Sequence, residues 1–142
     1  MDSRIRDDGE APGLVAALPE KGLRPGSVRY LKGLIGLNNV YPFYTAHGLA
    51  FTEAVKGIYE SGATLIVLDY GAAGARAAAW LELRAYLERS DRFKRAGGEQ
   101  AGVFIFHDGK GRHVAFAESG PRLVVGVSPD AAASLEIVNR AR

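Results

Sequence analysis

His107 and His113 flank the turn-forming run Asp108-Gly109-Lys110-Gly111. Imidazoles facing each other across a hairpin can share a metal ion, with Asp108 as a possible third ligand. The same residue types also serve at hairpin tips for turn reasons alone. His47, Glu53 and Asp69 are the side chains suited to acid or base work. None of them stands in a Gly-x-Ser-x-Gly, His-Glu-x-x-His or Walker pattern. Asn38, Asn39, Tyr41, Phe43 and Tyr44 form the third group, paired amides followed by aromatic rings of the kind enriched in binding surfaces. Large rings are core fillers too, so this cluster reads either as a contact surface or as the end of the core. Arg89, Arg92, Lys94 and Arg95 gather cations where a helix should end, which suits a solvated helix end and its dipole better than a phosphate site. Phe93 is the one stacking surface beside them, and Glu88 and Asp91 dilute the charge.

Composition removes several chemistries. Cysteine is absent, which excludes disulfides, thiolate nucleophiles and cysteine-ligated metals. The net charge of +2 comes from 18 Lys and Arg against 16 Asp and Glu, a small surplus that argues against a nucleic-acid partner. With 47% hydrophobic and 24% charged residues, the 142-residue chain has the make-up of one soluble globular domain. No apolar run reaches the ~20 residues that span a bilayer. The start Met1-Asp2-Ser3-Arg4 has no signal-peptide character, so the chain is expected to be soluble, and periplasmic or extracellular if a native leader has been removed.

The elements that must position these residues follow from punctuation and periodicity. Residues 1–13 are charged and broken by Gly9 and Pro12, which predicts a flexible segment before a single domain over 14–142. Val28–Leu34 reads as a strand and Leu37–Phe43 as a turn or a single helical turn. Leu49–Glu60 and Ala63–Tyr70 flank Ser61-Gly62 as a hairpin. Thr64-Leu65-Ile66-Val67-Leu68 is apolar on both pleat faces and must be a central strand covered on both sides. Ala75–Ser90 is a helix that turns Trp80, Leu83, Tyr86 and Leu87 inward and leaves Leu81 off the apolar face. Gly71-Ala72-Ala73-Gly74-Ala75 sits where a dinucleotide-binding turn would, but a meander rather than a parallel strand follows the helix. Gly102–His107, Arg112–Glu118 and Arg122–Val127 form that meander, and Ser128-Pro129-Asp130 opens a last helix with Ser as the cap. The expected fold is α+β, an antiparallel sheet of about five to six strands with two helices packed on one face, in the order β-ββα-βββα.

The series Ala17-Leu18-Pro19-Glu20-Lys21-Gly22-Leu23-Arg24-Pro25-Gly26-Ser27-Val28-Arg29-Tyr30, continued in Leu37–Phe43 and Thr64–Tyr70, resembles an uncharacterised bacterial family, domain of unknown function 6599. The resemblance covers most of Leu18–Arg142. It implies an exported or envelope-associated bacterial protein and brings no activity or catalytic residue with it. The chain differs from that family at Asp69-Tyr70-Gly71, where a Tyr-Pro turn would stand.

The function expected from these residues is a non-enzymatic binding or assembly module without a cofactor. Its partner would be a protein or a second copy, met through a sheet face, a sheet edge or the Leu37–Phe43 loop. The alternative is a small-molecule enzyme or ligand-binding domain with a pocket near His47, Glu53 and Asp69.

Overall fold

The structure is a computed structural model that describes residues 12–43, 45–96 and 102–142. The expected flexible start therefore falls outside the described residues except at its end. The elements run α1 (Pro12–Val15), β1 (Arg29–Tyr30), α2 (Gly33–Val40), β2 (Glu53–Ile58), β3 (Thr64–Asp69), α3 (Ala73–Arg89), β4 (Lys94–Arg95), β5 (Val103–His107), β6 (His113–Ser119), β7 (Arg122–Ser128) and α4 (Ala131–Ala141). All seven strands belong to one antiparallel sheet in the order β1-β2-β3-β7-β6-β5-β4. The class is α+β as expected, with more strands than the pattern predicts.

β3 lies inside the sheet, between β2 and β7, where both of its apolar faces are covered. Ile66 and Leu68 point into one apolar layer, which takes Trp80, Leu83 and Leu87 from α3 and Leu37 from α2. Leu65 and Val67 point into the other, which takes Ile137 and Val138 from α4 and Leu14 and Leu18 from the N-terminal segment. The two long helices thus lie on opposite faces, correcting the expected arrangement on one face. The alternation along β7 gives the same result, since Leu123 and Val125 face α3 while Val124 faces α4. At Gly126 a Cβ would come within 2.7–2.9 Å of Ser134, Ile137 and Val138, so the absence of a side chain lets α4 lie directly on the strand.

Three further differences have local causes. The strand expected over Val28–Leu34 stops at Tyr30, because Leu31, Leu34 and Leu37 recur at helical spacing and turn inward as α2 forms. α2 is also longer than the turn or single helical turn expected over Leu37–Phe43, beginning at Gly33 and ending at Val40. β4 is two exposed residues, Lys94 and Arg95, with no hydrophobic pattern to announce it. The cap of α4 is Asp130, whose carboxylate accepts from the Ala132 N–H, while Ser128 accepts from the Asp130 N–H one step earlier.

α3 takes the orientation its sequence predicts. Trp80 is buried, with its ring 5.2 Å from Phe116 and 5.7 Å from Phe104. Leu81 is 68% exposed. Beneath α3 lies Gly48, where φ is +74° and a Cβ would overlap the Ala79 carbonyl oxygen and press on Leu83. The Tyr70 hydroxyl donates to the Gly48 carbonyl at 2.6 Å and the Gly48 N–H donates to Glu82 at 2.7 Å. The loop that leads from α2 to β2 is thereby pinned between sheet and helix.

Candidate functional site

Tyr41 and Phe43 do not form a contact surface, as one reading of the aromatic cluster had it. Both have 0% exposure, and their rings meet edge to face at 4.9 Å inside the α3 layer. α2 buries Leu37 and leads the chain inward at its end, so the rings close the core. Asn38 serves the same turn by accepting from the Phe43 N–H at 2.9 Å, and Asn39 is exposed. Tyr44 lies outside the described residues.

Tyr41 leads instead to a polar group that spacing alone does not reveal. Its hydroxyl donates to Asp108 Oδ2 at 2.8 Å, and Asp108 is wholly removed from solvent at the tip between β5 and β6. Asp108 Oδ1 accepts from the Lys110 and Arg112 N–H groups, and the Arg112 guanidinium stands 3.7 Å from Oδ2. Burial alone would raise this carboxyl, but the two backbone donors, the Tyr41 hydroxyl and Arg112 outweigh it and hold it below the usual carboxylate range. Burial, with the bond to Asp108, raises the Tyr41 hydroxyl. Arg92 donates to the Pro42 carbonyl at 2.6 Å and to the Tyr41 hydroxyl at 3.2 Å. The guanidinium groups of Arg92 and Arg112 lie 5.4 and 4.7 Å from the centre of the Tyr41 ring. With both Asp108 oxygens hydrogen-bonded this way, the group fastens the β5–β6 tip to the end of α2.

The cations after α3 disperse. Arg92 is spent on this fastening, Arg95 pairs with Glu88 at 3.0 Å, and Phe93 is buried and unavailable for stacking. Gly71–Ala75 joins β3 to α3, and both neighbours of β3 are antiparallel, so the parallel partner of a dinucleotide site is missing.

His47, Glu53 and Asp69 do not converge. Glu53 and Asp69 are register partners on the α4 face, where Arg122 Nε pairs with Asp69 Oδ2 at 3.2 Å. His47 is on the α3 side, exposed, with its ring 5.9 Å from that of Tyr86. A cleft of about 420 Å³ is lined by Tyr59, Glu60, Glu136 and Arg140, one of about 310 Å³ includes Glu53, and one of about 220 Å³ lies beside Gly48. None of these three holds two members of the trio.

His107 and His113 do meet. They are register partners across the hairpin with ring centres 4.9 Å apart. Asp108 is not with them, since its side chain is turned into the core on the opposite face. Among the described residues no group of three or more His, Asp or Glu is placed to hold a metal.

A second charged feature lies on the outer edge of the sheet. Arg29 is the register partner of Lys56, so two cations stand directly opposite each other on the α3 side. Burial first, then the neighbouring Arg29, lowers the Lys56 ammonium. Arg24 is exposed on the same edge, its N–H donating at 2.8 Å to the carbonyl of Ile58, two residues along β2 from Lys56. Among the described residues none of the ion pairs involves Arg24, Arg29 or Lys56. Pattern reasoning missed this group because its members come from a turn and two strands, brought together only by register.

No family model, curated protein or solved structure shows significant similarity to the chain.

Proposed function

We propose that the protein is a non-enzymatic binding module that takes an acidic segment of a protein partner on the outer edge of its sheet. The observation that carries this reading is the direct opposition of Arg29 and Lys56, with Arg24 on the same edge and, among the described residues, no ion pair to a carboxylate from any of the three. Like charges directly opposite across strands destabilise a sheet. An anionic partner removes that cost on binding, so affinity is drawn from a strain the free protein carries.

The other surfaces offer less to a partner. Both sheet faces are covered by helices, and the edge strands β1 and β4 are two residues each, with Arg29 and Lys94-Arg95 blunting them against edge-to-edge pairing. Ile35 and Leu81 are exposed singly. The resemblance to the uncharacterised bacterial family over most of Leu18–Arg142 brings no activity with it, so the reading rests on this edge. No helix among the described residues is long and apolar enough to cross a membrane.

Lys56→Glu separates binding from folding because the two effects have opposite signs. It turns the repulsive pair into an attractive one and should stabilise the fold by about 0.2–1 kcal/mol. It should also abolish binding of a fluorescent glutamate-rich peptide, whose affinity for the natural chain should fall as salt is added. Peptide binding that survives Lys56→Glu would refute the assignment.

A further inference from the structure

We propose that His107 and His113 form a two-imidazole chelate, completed by water, for a late first-row divalent cation such as Cu²⁺, Ni²⁺ or Zn²⁺. The pair ends β5 and begins β6 at directly opposed positions, so both side chains leave the same face of the sheet. Their ring centres are 4.9 Å apart. Two imidazoles bound through Nε2 to one ion at about 2.0–2.1 Å hold their ring centres about 5 Å apart at a tetrahedral angle. The spacing is therefore already that of a chelate. It is also fixed, because the intervening turn is tied by Asp108 Oδ1 to the Lys110 and Arg112 N–H groups and by Asp108 Oδ2 to Tyr41.

Both rings meet the protein through Nδ1. His113 Nδ1 lies 3.2 Å from the Pro129 carbonyl oxygen, and donating there leaves the Nε2 lone pair for a cation. His107 Nδ1 accepts from the Gly109 N–H at 3.2 Å, so in the ion-free protein its proton is on Nε2. Ligation moves that proton to Nδ1 and gives up one long hydrogen bond, with no net proton released. The charge that opposes a cation is Lys94, the register partner of His107 on its other side. Two protein ligands make a site of modest affinity, and imidazole favours the late divalent ions over magnesium or calcium.

The natural chain contains its own control, since the third of its 3 histidines, His47, is exposed and remote from this hairpin. In an NMR titration of the natural chain with Zn²⁺, the His107 and His113 ring signals should shift together and saturate at one equivalent while those of His47 stay put. Calorimetry should give affinities in the order Cu²⁺ above Ni²⁺ above Co²⁺. His107→Gln and His113→Gln should each remove the heat of binding, and Lys94→Gln should tighten it. Shifts at His47 that parallel the other two, saturation that requires millimolar metal, retained binding in either histidine variant, or weaker binding in Lys94→Gln would each overturn the proposal.

Discussion

Asp108 shows what one buried carboxylate does for a fold without a disulfide. It closes the β5–β6 tip through two backbone bonds and, through Tyr41, fastens the far end of α2 to that tip. Tyr41→Phe leaves an ionised group short of one donor and should cost about 1–3 kcal/mol in denaturant unfolding. Asp108→Ala also leaves Arg112 without its carboxylate and should cost about 3 kcal/mol or more. Because Asp108 is held below its unfolded value, its contribution is complete above about pH 4 and is lost as pH falls through the lower folded value. Thermal unfolding followed between neutral and strongly acid pH should show this loss in the natural chain and a flatter profile in Asp108→Ala. At the alkaline end the sign is reversed. Burial pushes the Tyr59 hydroxyl up to about 12, with Arg140 pulling the other way, and burial also raises Tyr70. These rings favour the fold below about pH 10 and cease to do so as pH rises through their higher folded values, so a spectrophotometric titration should find them ionising only as the protein unfolds.

Among the elements, those with a strong period were legible and the weakly patterned ones were not. Trp80, Leu83 and Leu87 announce α3 and its inner face, and Ser61-Gly62 announces the β2–β3 hairpin. β4 has only Lys94 and Arg95, and α2 hides in a run where apolar residues occur on every side. The loop over Gly48 is equally silent, because a lone glycine between Ala46 and Ala50 looks like any turn until α3 is laid on it. Gly48→Ala combines a left-handed backbone with a Cβ that overlaps the α3 main chain. It should destabilise by roughly 3 kcal/mol, with the loop the first region to lose protection in hydrogen exchange. Ala50→Gly, two residues on and exposed, is the matched control and should be nearly neutral.

For the molecule as a whole, β3 contained more information than was drawn from it. Its two apolar faces require cover on both sides, and this requirement already argues against placing both helices on one face. The candidate sites divided along a similar line. The histidine pair was legible because a short hairpin sets its register, whereas Arg24, Arg29 and Lys56 became neighbours only through long-range pairing. For Tyr41 and Phe43 the sequence left surface and core open alike, because composition does not distinguish a ring that binds from a ring that fills. The topology also has a bearing on how the chain is divided. A meander of β1, β2 and β3 precedes α3, a meander of β4 to β7 follows it, and the β3–β7 ladder is the single strand pairing between them. Each half lends a helix to the other, since α3 packs on β6 and β7 while α4 reaches β3. Cleavage after Ser90 would therefore yield two fragments that fit together as clasped hands, which makes the protein a natural starting point for a split reporter whose halves regain structure only on reunion.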